Sequence, residues 1–125
     1  MGQIQKLLAR RKYKKSYSQC GEDLLINYIF TLRGIARPTY IDIGANDPYF
    51  ISNTAFFYER GCRGINIEAN PLLIKKFKDM RPADTNLNIG ISDKNEELDF
   101  YIMKDNTLST FQRRSAILCK KAVKN

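Results

Sequence analysis

Three short stretches of the chain place carboxylates and hydroxyls directly after β-branched runs, and chemistry is expected there. The first is Asp42-Ile43-Gly44-Ala45-Asn46-Asp47-Pro48. A glycine just past a strand permits a tight turn and lets a ligand approach the main chain. Asn46 and Tyr49 stand where a G-x-G-x-x-G fingerprint needs its second and third glycines. The loop is therefore poorly built to cradle a pyrophosphate through several amides. A ligand carrying ammonium and sulfonium groups instead of phosphates would favour carboxylates, which Asp42 and Asp47 can supply. The same residues also suit an ordinary βα turn with Asp47-Pro48 as its turn chemistry.

The second stretch is Gly64-Ile65-Asn66-Ile67-Glu68, whose acid lies 26 positions beyond Asp42. An acid at this point of a βαβ unit can accept hydrogen bonds from both hydroxyls of a ribose, a fork that no neutral side chain reproduces. The alternative is a solvated acid at a strand end. Two acids so spaced around one βαβ unit favour the ribose reading. The third is Ser92-Asp93, after Leu87-Asn88-Ile89-Gly90-Ile91. A hydroxyl or carboxylate here could accept from the exocyclic amine of an adenine, although Ser-Asp-Lys-Asn is also strong turn composition.

Other chemistries are excluded by composition. The 125 residues contain no histidine, which removes Ser-His-Asp and Cys-His catalysis and histidine metal sites. Cys20, Cys62 and Cys119 are widely spaced with no CxxC pair, so neither a zinc site nor a disulfide framework is expected. Reduced, mostly buried thiols in a reducing compartment fit best.

The elements that must position these clusters can be read from periodicity and punctuation. Residues 4–15 could form a short basic helix. Leu24–Arg33 reads as a helix with Leu25, Tyr28, Ile29 and Leu32 on one stripe, its acids at the favourable amino end, closed by Gly34 and Pro38. Tyr40–Ile43 is a strand. Ser52-Asn53 caps a helix over Thr54–Arg60, with Gly61 as its stop. Gly64–Glu68 is a second strand. Asn70-Pro71 opens a helix over Leu72–Met80 as cap and first-turn proline. Leu87–Ile91 is a third strand, and Glu97–Met103 a fourth, on the alternation of Leu98, Phe100 and Ile102. Alternating strands and helices predict an α/β fold with a mostly parallel sheet, right-handed crossovers and a ligand at the carboxyl ends of the strands.

An apolar fraction of 43% is that of a globular chain with room for one domain. No apolar run has the length of a membrane span and no secretory signal is visible, so a cytoplasmic protein is the default expectation. The net charge of +8 is unevenly spread. Residues 1–15 hold six bases and residues 113–125 hold five, with no acid in either, whereas 16–112 has ten bases and thirteen acids. The basic ends could grip phosphates or an anionic surface, but solvated helix faces are the simpler reading. With the middle at −3 and no nucleic-acid motif, nucleic acid is not the expected partner.

Taken in order, these stretches resemble the FkbM-type methyltransferase family. The matching residues are Tyr17-Ser18-Gln19 with Gly21-Glu22-Asp23, then Asp42–Pro48, Ser52-Asn53-Thr54, Arg63–Pro71, Ile91-Ser92-Asp93 and Leu108-Ser109-Thr110-Phe111. They span roughly residues 16–112, which would be a partial Rossmann-like domain between a basic arm (1–15) and a basic tail (113–125). The resemblance implies a Rossmann-like class I methyltransferase fold, S-adenosyl-L-methionine as methyl donor, and O-methylation of a hydroxyl on a sugar or secondary metabolite. By the same resemblance Asp42, Gly44 and Asn46 line the methionine end, Glu68 the ribose and Asp93 the adenine, while Gln19 closes over the cofactor; Ser92, beside Asp93, is a cofactor-binding candidate from the residues themselves. No metal ligand is implied.

The family's later acidic segment, of the Lys-x-Asp-x-Glu-Gly kind, has no match in Thr110–Asn125. The expectation is therefore a fold truncated at its carboxyl end, with no general base assigned. A catalytically inactive cofactor-binding remnant is the alternative. An open sheet edge would make such a chain prone to self-association.

Overall fold

Parallel pairing of three short strands builds the platform on which the clusters sit. The computed structural model describes residues 15–93 and 99–102. The chain divides into two compact units interleaved in sequence, Met1–Thr39 with Tyr49–Arg63, and Tyr40–Pro48 with Gly64–Asn125.

The second unit holds the sheet, of β1 (Tyr40–Ile43), β2 (Gly64–Ile67) and β3 (Thr85–Leu87). Their order is β1-β2-β3, and both pairs are parallel. Parallel neighbours require long crossovers, and residues 44–63 and 68–84 supply them. The register sets Ile41 beside Ile65 and Ile43 beside Ile67, so one face is aliphatic. Alternation gives the other face Tyr40, Asp42, Asn66 and Asn86.

Between β2 and β3 runs a helix over Pro71–Met80, here called α3. Its start is as the punctuation predicts: the Asn70 side chain accepts from the Leu72 N–H at 3.0 Å, and Pro71 occupies the first turn. Leu73, Ile74 and Phe77 are buried, and Ile74 and Phe77 form a core with Ala45 from the loop after β1.

The amino ends of the strands are tied by a buried polar network. Arg81, directly after α3, is wholly buried and forms a 2.7 Å ion pair with Asp84. The Asp84 carboxylate also accepts from the Tyr40 hydroxyl (2.7 Å), the Gly64 N–H (2.9 Å) and Asn66 Nδ2 (3.0 Å). Arg81 further donates to the Tyr40 hydroxyl and the Pro48 carbonyl. Burial, then the hydrogen bond to Asp84, pushes the Tyr40 phenol well above its ordinary pKa. At Gly64 a Cβ would strike the Tyr40 ring and carbonyl, so only glycine admits this close pairing.

The first unit contains α1 (Glu22–Leu32) and α2 (Ala55–Glu59). The cap of α2 is Thr54 rather than the expected Ser52-Asn53, although the Ser52 hydroxyl accepts from the Ala55 N–H at 3.1 Å; Gly61 (φ 84°) follows the end of α2 as the sequence predicts. Phe30 and Phe56 both meet Phe57 edge-on, at centroid distances of 5.9 and 5.4 Å.

Other readings change. α1 begins at Glu22 rather than Leu24, because Gly21 adopts φ 87° and Asp23 closes the preceding loop. Its apolar stripe is not the buried face: Leu25, Tyr28, Ile29 and Leu32 are 50–68% exposed, and it is Phe30 that packs inward. The third strand is Thr85–Leu87 rather than Leu87–Ile91, since at Asn88 a side chain, not the backbone, takes over the bonding to β2's end. Cys20 is exposed, so only Cys62 of the described thiols is buried. Lys15 apart, the expected helix at 4–15 lies outside the described residues, as do Cys119 and residues 97, 98 and 103 of the expected strand at 97–103; its described residues 99–102 form no strand, Tyr101 making a single β-bridge.

Candidate functional site

At the carboxyl ends of β1 and β2 the chain folds back on itself through a small set of directed hydrogen bonds. The last carbonyl of β2, on Ile67, accepts from the Gly44 N–H at 2.9 Å and the Ala45 N–H at 3.2 Å. This bends the loop after β1 across the end of β2. The turn needs left-handed backbone at Gly44 (φ 71°) and again at Asn46 (φ 59°), a region that asparagine tolerates better than most residues.

Glu68 locks the turn. Its Oε2 accepts from the Asn46 N–H and its Oε1 from the Asn70 N–H, both at 2.9 Å. The side chain is 8% exposed, which rules out the solvated strand-end acid as its reading. An ionised carboxylate has about four acceptor positions, so two remain for incoming O–H or N–H donors. Glu68 is held in turn by β3: its N–H donates to the Leu87 carbonyl at 3.1 Å, and Asn88 Nδ2 donates to the carbonyls of Glu68 and Ala69, each at 2.9 Å.

Around this clamp, Asp42 is half-buried on β1, beside Asn66 on β2. Asp47 forms a 3.4 Å ion pair with Lys76 of α3. A Cβ built on Gly44 would meet nothing within 4 Å, so the main chain there faces open space. Asp42, Gly44, Asn46 and Glu68 are thus gathered at one end of two adjacent strands.

The remaining candidates are placed differently. Ser92 and Asp93 follow β3 in the same unit and are exposed, with the Ser92 hydroxyl donating to Asp93 at 3.3 Å. Gln19 is exposed and belongs to the other unit. Its loop is fastened by Asp23, whose buried carboxylate accepts from the Tyr17 N–H (2.7 Å), Ser16 Oγ (2.7 Å), Ser18 Oγ (2.9 Å) and the Leu24 N–H (2.8 Å). Burial alone would raise the Asp23 carboxyl, but these bonds outweigh it and hold the pKa below the ordinary value. Among the described residues no cluster of three could hold a metal ion, and no helix is long and apolar enough to cross a membrane.

Sequence reasoning missed two groups that matter here. Asn88 gave no signal beyond lying in a presumed strand. Arg81 and Asp84 were not singled out in the sequence, where only their i, i+3 spacing hints at the pair.

The donor set can be tested against the nucleoside sulfonium that the resemblance implies. A carboxylate with spare acceptor positions suits a vicinal diol, the space over Gly44 admits a ligand, and nothing in the loop calls for a phosphate. The residues present fit such a group. No curated protein and no solved structure matches the chain. The model of the Methyltransferase FkbM domain family does match, over residues 42–117, and so takes in the whole clamp from Asp42 to Asn88. That match covers more than half of the sequence, and the chain belongs to the Methyltransferase FkbM domain family.

Proposed function

We propose that this domain binds S-adenosyl-L-methionine at the carboxyl ends of β1 and β2 and directs its methyl group to a hydroxyl of a small molecule or glycan. The observation that carries the reading is the Glu68 carboxylate, preset by the Asn46 and Asn70 amides beside the open main chain of Gly44. Glu68 accepts the two ribose hydroxyls, so the nucleoside meets acceptors already oriented and little is lost to reorganisation. Asp42, Gly44 and Asn46 hold the methionine end, where the carboxylate of Asp42 favours the ligand's positive charge. Ser92 and Asp93 accept from the adenine amine.

When bound, the cofactor supplies a methyl group on a good leaving group, and the protein's part is to align an acceptor oxygen with it. With no histidine in the chain, a base for the acceptor's proton would be a carboxylate or a lysine. The hydroxyl acceptor and a cytoplasmic setting remain part of this proposal.

Calorimetric titration with S-adenosylhomocysteine tests the reading independently of turnover. Saturable binding is expected, weakened by about tenfold or more in Asp42→Ala and Glu68→Ala. No heat of binding from a well-folded chain would overturn it.

A further inference from the structure

We propose that Asn88 is a positioning residue that sets the cofactor site's preference for a ribonucleoside, acting through Glu68; this rests on the binding mode proposed above. The strand-to-helix connection Glu68-Ala69-Asn70 must hold a carboxylate in one place while leaving acceptor positions open. Its amino side is fixed by the ladder bond from the Glu68 N–H to Leu87, and its carboxyl side by the Asn70 cap on α3. Between them lie two consecutive carbonyls, of Glu68 and Ala69, with β3 already at its end. The Asn88 side chain supplies both missing donors from one amide group, at 2.9 Å each.

An NH2 group is the only uncharged protein side-chain end that offers two protons from one atom in this way. Asn88 itself is exposed, so truncating it removes directed bonds without opening a cavity. With those bonds gone, the peptide between Glu68 and Ala69 is free to rotate. The Glu68 carboxylate then loses its aim while keeping its charge. The consequence is selective: recognition of a diol suffers, while binding of the rest of the nucleoside does not. Asn88 makes no contact with the ligand in this account.

The test compares S-adenosylhomocysteine with its 2′-deoxyadenosyl counterpart by calorimetry on the full chain. Wild type is expected to prefer the ribose compound by about tenfold or more, the scale for a site built around a buried hydroxyl partner. Asn88→Ala should lose most of that preference by weakening the ribose compound alone, with its circular dichroism unchanged. Asn88→Ser keeps one donor and should recover part of the preference; it also serves as the test should the alanine variant not fold. If Asn88→Ala, or failing that Asn88→Ser, keeps the full wild-type preference, or weakens both compounds equally, the positioning role is wrong while the cofactor reading stands. If wild type binds neither compound, both are overturned.

Discussion

Glu68 and Asp23 show how much a single residue's surroundings decide. Both are acids beside a turn, and sequence spacing singled out Glu68 for ligand recognition while leaving Asp23 as part of a helix's acidic first turn. Asp23 is fully buried and organises the loop at Ser16–Ser18 through three short hydrogen bonds, with a fourth from the Leu24 N–H. Because its folded-state pKa is lowered, it contributes stability above the unfolded-state value, and that contribution is lost as pH falls through the folded value. Asp23→Asn should cost about 1–3 kcal/mol at neutral pH and flatten the loss of stability below pH ~4, measured by urea denaturation across pH. Cys62 is buried, and burial raises its thiol pKa, whereas Cys20 is exposed. Iodoacetamide labelling followed by peptide mapping should therefore modify Cys20 in the native chain and Cys62 only on unfolding. Types and spacing made Gly44, Glu68 and Asn70-Pro71 legible in the sequence. Asp23 was not, because its partners are main-chain amides and hydroxyls that fold back locally with no periodic signature.

At the scale of elements, the two ends of the sheet do different work. The amino ends are clamped by Arg81, Asp84 and Tyr40, and the carboxyl ends carry the candidate site. Removing one partner of a buried ion pair strands the other charge, so Arg81→Ala should cost about 3–5 kcal/mol in denaturant unfolding. Gly64→Ala forces a methyl group into Tyr40 and should cost about 1–3 kcal/mol in the same measurement. The strand and helix types were predictable from β-branched runs and from caps. The boundaries of β3 were not, since Asn86 and Asn88 can bond through either backbone or side chain, and the choice depends on what β2 presents to them. The outward stripe of α1 was misjudged for a similar reason: periodicity identifies an apolar face but not what lies against it.

Across the whole molecule, charge separates along the division into units. Ten of the thirteen acids lie in Tyr40–Pro48 and Gly64–Asn125, the unit that carries the candidate site, while ten of the twenty-one bases lie in the other unit with only three acids. The unit that carries the site is thus close to neutral, with eleven bases against its ten acids, and the other unit holds most of the chain's excess positive charge. Among the described strands only β2 has neighbours on both sides, and Ile41 and Ile43 are 65% and 61% exposed. A β1 with no described strand on one side and with exposed Ile41 and Ile43 favours pairing with a second copy. Sedimentation should show association that rises with concentration and is relieved by Ile41→Lys; a concentration-independent monomer would contradict this.

The central claim is that the Glu68 clamp is where the cofactor's ribose is bound. Amide chemical shifts read it directly, because the Asn46 and Asn70 N–H groups donate to the two oxygens that would receive the hydroxyls. Titration of the nitrogen-15-labelled chain with S-adenosylhomocysteine should move both amides together and saturably, with the amides of α1 left in place. Saturable binding that leaves Asn46 and Asn70 unperturbed would contradict the account.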